Sequence, residues 1–262
     1  MNFETLTLET DTRGVARLTL NRPQAHNALN AAMIAELSEA AALLGRDPTV
    51  RVVVLAAAGR SFCAGGDIGW FRDTLALGRA GRVAQSAALG HMLEALAALP
   101  KPLIGRIHGA AYGGGVGMVS VCDLAIGADT ARFGLTEVRL GLIPANISPH
   151  VVNRIGPARA RATMLSGALF DAERALRIGL LDDCVPSETL DAAVDAAVAA
   201  HLQAAPGAVA ATKRLIEDVS LADPAGRVEL TSQRLADAWE SEEGRAGIDA
   251  FFAKRRPPWR GE

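Results

Sequence analysis

The stretch YGGGVGMVSVCD, from Tyr112 to Asp123, places four glycines within Gly113–Gly117 at the head of an apolar run with helical spacing. Glycine lets a backbone come close to a ligand or adopt a positive φ, and a helix start offers unpaired N–H groups at the positive end of its dipole. Together these can hold an anion. Glycines before a helix also serve close helix–strand packing, so this stretch alone leaves both readings open.

Working outward, Pro100-Lys101-Pro102 closes a helix read over Gln85 to Leu99, whose apolar residues Leu89, Met92, Leu93, Leu96 and Leu99 recur at helical spacing. It also opens a strand, Leu103 to Ile107. Further upstream, Val50 to Leu55 is a β-branched run too apolar for a half-exposed strand, which predicts a buried parallel one. Asn30 can cap a helix with the face Ile34, Leu37, Ala41 and Leu44. Phe3 to Leu8 and Val15 to Leu20 alternate about the turn Asp11-Thr12-Arg13-Gly14 and read as a hairpin.

Downstream, Asp123 to Gly127 and Arg132 to Gly134 read as short strands. Past Pro157 the pattern is helical throughout: Ala158 to Ser166, Ala172 to Ile178, Leu190 to Leu202, Gly207 to Val219, and one long segment from about Pro224 to Ala253. The chain is therefore read as an α/β core over residues 1–195 followed by a helical region, 196–262, suited to assembly or to a lid.

The 262 residues can bury a large core without covalent help. A net charge of −2 gives no footprint for nucleic acid. Cys63, Cys122 and Cys184 are odd in number and far apart, which fits reduced thiols better than a disulfide framework or a zinc site. His26, His91, His108, His150 and His201 show no paired ligand spacing, so no metal is expected. The start MNFETLTLETD lacks the basic and apolar regions of a leader, and no apolar run spans a membrane. A soluble, cytoplasmic protein without a membrane partner is expected.

A dinucleotide fingerprint fits poorly, because its third glycine would fall on Met118 or Ser120. There is no phosphate-loop lysine motif and no Gly-x-Ser-x-Gly elbow. A second small-residue loop, Ser61-Phe62-Cys63-Ala64-Gly65-Gly66-Asp67, follows the strand that ends at Leu55. If the two strands are neighbours, one N–H from each loop can point at a single oxygen and stabilise an enolate-type oxyanion. Asp67 can equally be a helix cap.

The loop CAGGDI (Cys63 to Ile68), the segment HGAAYGGGVGMVSVCDLAI (His108 to Ile126), the run FGLTEVRLGLIP (Phe133 to Pro144) and the opening NRPQAHNAL (Asn21 to Leu29) resemble, in order and spacing, the enoyl-CoA hydratase/isomerase (crotonase) family over almost the whole chain. RLGLIPANISPHV (Arg139 to Val151) is similar to the bacterial methylglutaconyl-CoA hydratases of leucine breakdown. The resemblance implies a crotonase-like (ClpP/crotonase) spiral of ββα units with a helical C-terminal layer, assembled as a homotrimer or a hexamer of paired trimers. It implies an acyl-CoA substrate, with coenzyme A entering as part of the thioester and no separate cofactor. The backbone N–H groups of Gly66 and Gly114 would hold the thioester oxygen, Glu137 would be the acid/base, and Ala64, Gly65, Gly66, Asp67 and Ile68 would lie along the CoA moiety. Lys254, in the basic end Phe251 to Arg256, would meet a CoA phosphate across a subunit boundary.

Hydratases of the family carry a second glutamate, and its position here is Gly117. The resemblance thus leaves three readings: hydration on one carboxylate, helped by a group such as Asn146 or His150; Δ-isomerisation of an enoyl-CoA; or acyl-CoA binding by a degenerate member. A glutaconyl substrate would call for a cation near the acyl pocket, where Arg72, Arg79 and Arg82 lie in the sequence.

Overall fold

The computed structural model describes residues 3–260. Strands β1 (Leu6–Thr10) and β2 (Val15–Leu20) pair antiparallel. At their turn the Asp11 carboxylate accepts from the N–H groups of Arg13 and Val15. The first strand begins later than its alternation suggests, because the N–H groups of Glu4 and Thr5 donate to the Glu36 carboxylate instead of to a neighbouring strand. Glu36 belongs to helix α1 (Ala31–Arg46), which Asn30 caps by accepting from the Met33 N–H at 2.9 Å. The expected face Ile34, Leu37, Ala41 and Leu44 is buried. Each fully buried leucine of this kind contributes ~1.5–3 kcal/mol relative to exposure.

Strand β3 (Val52–Ala57) is buried along its whole length. It is followed by α2 (Ile68–Ala76) and α3 (Arg79–Ala97). Helix α3 starts six residues before the apolar period does, since its first turns are exposed and bear no core face. Next come β4 (Leu103–Ile107), β5 (Ala110–Tyr112), α4 (Gly114–Ser120), β6 (Leu124–Ala128) and β7 (Arg132–Gly134). Helix α5 (Ser148–Met164) is broken at Gly156, with φ +77°, before Pro157. The chain continues through β8 (Phe170–Asp171), α6 (Ala172–Ile178), β9 (Asp183–Val185), α7 (Leu190–His201), α8 (Pro206–Leu221), α9 (Arg227–Glu240) and α10 (Glu242–Phe252).

Two expectations are corrected here. Strands do not stop at Pro157: β8 and β9, two and three residues long, are too short to show a period and exist only through pairing with β7 and β6. The long terminal helix is two helices, divided at Ser241, whose extended backbone and hydroxyl cap α10 by accepting from the Gly244 N–H.

The main sheet has the order β1-β2-β3-β4-β6-β9, parallel from β2 onward, and a second sheet has the order β5-β7-β8. One face of the main sheet carries Leu18, Leu20, Val53, Leu55 and Ile107 into the larger core with α1 and α3. The other face carries Val15, Val52, Val54, Ile104 and Ile126 against Leu190, Val194 and Val198 of α7. Helix α7 runs through residue 195 and stays on the sheet. The glycine-rich stretch follows β5, not β4 directly, so the chain has already crossed into the second sheet when it reaches Gly113. No helix among the described residues is long and apolar enough to cross a membrane.

Candidate active site

The two glycine loops meet. Cys63 and Ala111 form a single parallel bridge, in which the Cys63 N–H donates to Ala110 O at 3.0 Å and the Tyr112 N–H donates to Cys63 O at 2.9 Å. The other side of the first loop is stitched to the segment Asn21–Leu29. The Leu29 N–H donates to Gly65 O, the Asp67 N–H to Leu29 O and the Ala64 N–H to His26 O. The buried Asn27 amide donates to the carbonyls of Ala58 and Ser61, each at 2.8 Å. Asn27 thus fixes the loop from beneath, a role that only its place between two turns could have suggested.

This closeness needs residues without side chains. A Cβ at Gly115 would sit 2.6 Å from Cys63 O, and Gly113 has φ +49°. Among the described residues, neither the Gly66 N–H nor the Gly114 N–H has a protein acceptor. Helix α4 has seven residues, so its dipole is small and the individual N–H groups are what the site offers. The Cys63 thiol is buried in the same loop, and burial pushes it up to about 12, which excludes it as a thiolate nucleophile near neutral pH.

Glu137 opens a short 3-10 turn, Glu137–Leu140, just beyond β7. Since β5 and β7 are parallel neighbours, with Tyr112 opposite Gly134, this turn lies beside the glycine-rich one. The Glu137 Oε1 atom is 2.9 Å from the point where a Gly113 Cβ would be, and Oε2 is buried with no hydrogen-bond partner. Burial raises the carboxyl above its ordinary value of 4.5, partly offset by its own backbone N–H. Of the two leucines near it in sequence, Leu135 is buried, whereas Leu142 is 51% exposed.

The position of the family's second glutamate is closed. A Cβ at Gly117 would lie 2.6 Å from Ile147 Cγ2 and 3.3 Å from Leu93 Cδ1, so Ile147 fills the volume that a side chain would need. Beside it, Asn146 Oδ1 accepts from Ser86 Oγ at 2.6 Å, and both residues line a cavity of about 490 Å³. Arg79 and Arg82 line the same cavity, but Arg72 does not. Arg82 also donates to Thr74 O and Leu75 O. Burial lowers the pKa of His150, partly offset by Glu94.

Asp67 accepts from the N–H groups of Gly69 and Trp70 as the cap of α2, and meets Arg22 at 3.0 Å. The cap reading of this residue therefore holds. Ile68 opens α2 and is 72% exposed. Lys254 follows α10 and is exposed on the C-terminal helical layer, where α10 packs on α8 and α9.

The sequence profile of the enoyl-CoA hydratase/isomerase family matches residues 10–262. A curated relative in Mycobacterium tuberculosis, named probable enoyl-CoA hydratase echA8, is 35% identical over 263 residues, covering 98% of this chain and 98% of its own. Among solved structures, an enoyl-CoA hydratase from Shewanella pealeana superposes with a TM-score of 0.95 at 35% identity, covering 98% of this chain and 97% of its own. Pseudomonas aeruginosa AtuE superposes with a TM-score of 0.94 at 39% identity, covering 98% and 100%. With this sheet order and these loops, the chain belongs to the enoyl-CoA hydratase/isomerase family and has the crotonase fold.

Proposed function

We propose that the chain is a hydro-lyase that adds water to, or removes it from, a 2-enoyl-CoA thioester. The observation that carries this reading is the half-buried Glu137 carboxyl, with one buried oxygen unpartnered among the described residues and set against the Gly113 turn, next to two backbone N–H groups free to donate. In the hydration direction Glu137 takes a proton from water as the oxygen bonds to the β-carbon. The π electrons move onto the thioester oxygen, held by the Gly66 and Gly114 N–H groups, and Glu137 then returns the proton to the α-carbon. Two preorganised donors supply several kcal/mol to the enolate-like state. A raised pKa suits a group that must accept and return one proton. The backbone from Ala64 to Ile68 lies along the CoA moiety in this reading, and Lys254 meets a CoA phosphate from a neighbouring copy in a trimer or hexamer.

The finer reading is a methylglutaconyl-CoA hydratase. Its support is the cavity that places Arg79 and Arg82 beside Asn146, cations suited to a second carboxylate on the acyl group. The full chain assayed with crotonyl-CoA and methylglutaconyl-CoA tests both levels: loss of enoyl absorbance with a 3-hydroxyacyl product supports hydration, and a clear preference for the carboxylated substrate supports the arginines. Equal turnover of the two removes the carboxylate argument.

One observation favours a second reading. With Ile147 filling the room at Gly117, the site has a single carboxylate, which suffices for Δ-isomerisation of an enoyl-CoA. Mass spectrometry separates the two, since isomerisation conserves mass and hydration adds one water. Tight binding with no turnover across an acyl-CoA panel would instead mark a degenerate, binding-only member.

A further inference from the structure

On the face of the main sheet that α7 covers, away from the core beneath the glycine loops, lies a cavity of about 640 Å³. Strand alternation brings Arg17 and Thr19 of β2 to the same face as Val15, and Arg106 of β4 to the same face as Ile104. Between them β3 changes from Val52 and Val54 to Ala56, which stands opposite Thr19 in register. The apolar filling therefore stops where the arginines begin, and the missing side-chain volume becomes a hollow. Arg60 and Asp191 complete its charged lining.

The charges in this lining do not cancel. Asp191 is held by Arg106 through both oxygens, at 2.6 and 2.9 Å. His108 is neutral: Nε2 donates to Gly59 O at 2.8 Å and Nδ1 accepts from Arg106. Among the described residues Arg60 meets the ring nitrogens of His26. Arg17 is half-buried, stands opposite Glu9 in the β1–β2 register, and lies near enough to Asp191 to help lower its pKa. Three guanidinium groups and the Asp191 carboxylate thus line the hollow with Thr19, and Asp191 is drawn electrostatically by Arg17 as well as by Arg106.

We propose that this hollow is a binding site for a small phosphoryl dianion, either inorganic phosphate or the phosphate end of a small ester, with Arg17 as its principal ligand and Arg60 closing the rim. A guanidinium fork matches phosphate oxygens in two-point geometry, and the lining carries more guanidinium groups than carboxylates. The site stands apart from the acyl-CoA reading, but it lies at the root of both loops. Residues 59–60 lead to Gly66 and residues 108–109 lead to Gly114, and a Cβ at Gly109 would lie 2.1 Å from Arg60 O.

Titration calorimetry of the full chain with sodium phosphate, at constant ionic strength and with and without saturating coenzyme A, tests the proposal. One phosphate per chain is expected, retained in the presence of coenzyme A. Arg17→Ala should weaken it at least ~10-fold, the scale of one lost charge-assisted hydrogen bond, and Arg17→Lys should weaken it less. Arg82→Ala, in the other cavity, should leave it unchanged. Glycerol 3-phosphate in place of phosphate separates the sources: tighter binding assigns an ester, equal or weaker binding assigns the free ion. Absence of saturable binding, displacement by coenzyme A, or full retention in a folded Arg17→Ala chain would each overturn the site. So would a change of oligomer size in Arg17→Ala, because the hollow would then be a contact between copies.

Discussion

Glu137 carries an electrostatic load that can be measured apart from catalysis. Its carboxyl is raised by burial, so the folded chain prefers the neutral form. That preference stabilises the fold below the unfolded value and is lost as pH rises through the higher folded value. Glu137→Gln is therefore expected to melt at or above the wild-type temperature at pH 8, with the difference vanishing below the ordinary value of 4.5. The same substitution should lower kcat by at least ~100-fold, the usual scale for a general acid–base group. Calorimetric melts across pH, set beside steady-state rates on crotonyl-CoA, check both halves; a variant that keeps most of its activity removes Glu137 from the reaction. Gly117 gives a second test at this scale. Gly117→Ala drives a methyl into Ile147 and should lose ~1–3 kcal/mol in urea unfolding, the range for overpacking. Adding Ile147→Ala should return part of that loss as a favourable coupling of ~0.5–3 kcal/mol between contacting sites. The family resemblance singled out Glu137 and Gly117 through motifs that are local in sequence. They did not reach Ile147, which fills the space at Gly117 from thirty residues away, nor the exposure of Leu142, because both are set by how the Glu137–Leu140 turn and the start of α5 sit in space.

Helix α2 shows how an element can depend on two polar contacts. None of its residues is fully buried, and Trp70 is only partly buried against the core, so the Asp67 cap and the Arg22–Asp67 pair contribute to holding its start. Burial alone would raise the pKa of Asp67, but hydrogen bonds from Arg22, Trp70 and Gly69 outweigh it and the pKa is lowered. Stability from this group is therefore present above the ordinary aspartate value and is lost as pH falls through the lower folded one. Asp67→Ala should lose ~0.5–2 kcal/mol, the range for a removed N-cap, while Asp67→Asn keeps the capping oxygen and should lose less. If Ala64 to Ile68 lines the CoA moiety, Asp67→Ala should also raise KM with little change in kcat. Urea midpoints and Michaelis constants on the same preparations decide this, and an unchanged KM would separate the cap from the substrate. Long periodic elements such as α1 and β3 could be read from sequence because burial imposes a repeat on them. β5, β8 and β9 could not, because two or three residues hold no period and their pairing partners are distant in the chain.

For the whole molecule, the C-terminal helices leave an apolar surface that one chain does not cover. Val228, Leu235 and Trp239 recur on α9 at intervals of seven and four, which aligns them on one face, and they are 76%, 61% and 59% exposed. Ile216 and Leu221 of α8 and Phe251 and Phe252 of α10 add to the exposed apolar side chains of the same layer. Contiguous apolar surface on this scale marks an association site, and closed symmetric assembly is the usual way a chain covers it with a second copy of itself. The trimer or hexamer implied by the family resemblance would put Lys254, which follows Phe252 on this layer, within reach of a neighbour's acyl-CoA. Leu235→Asp should then lower the sedimentation coefficient to that of a single chain and raise KM for acyl-CoA, because the layer that brings Lys254 to its neighbour would be gone. Lys254→Ala should raise KM to a similar extent while leaving the assembly intact. Sedimentation velocity on both variants, read beside their Michaelis constants, separates the two effects. A monomeric Leu235→Asp chain with an unchanged KM would confine each acyl-CoA site to one chain and leave the apolar stripe a role in assembly alone.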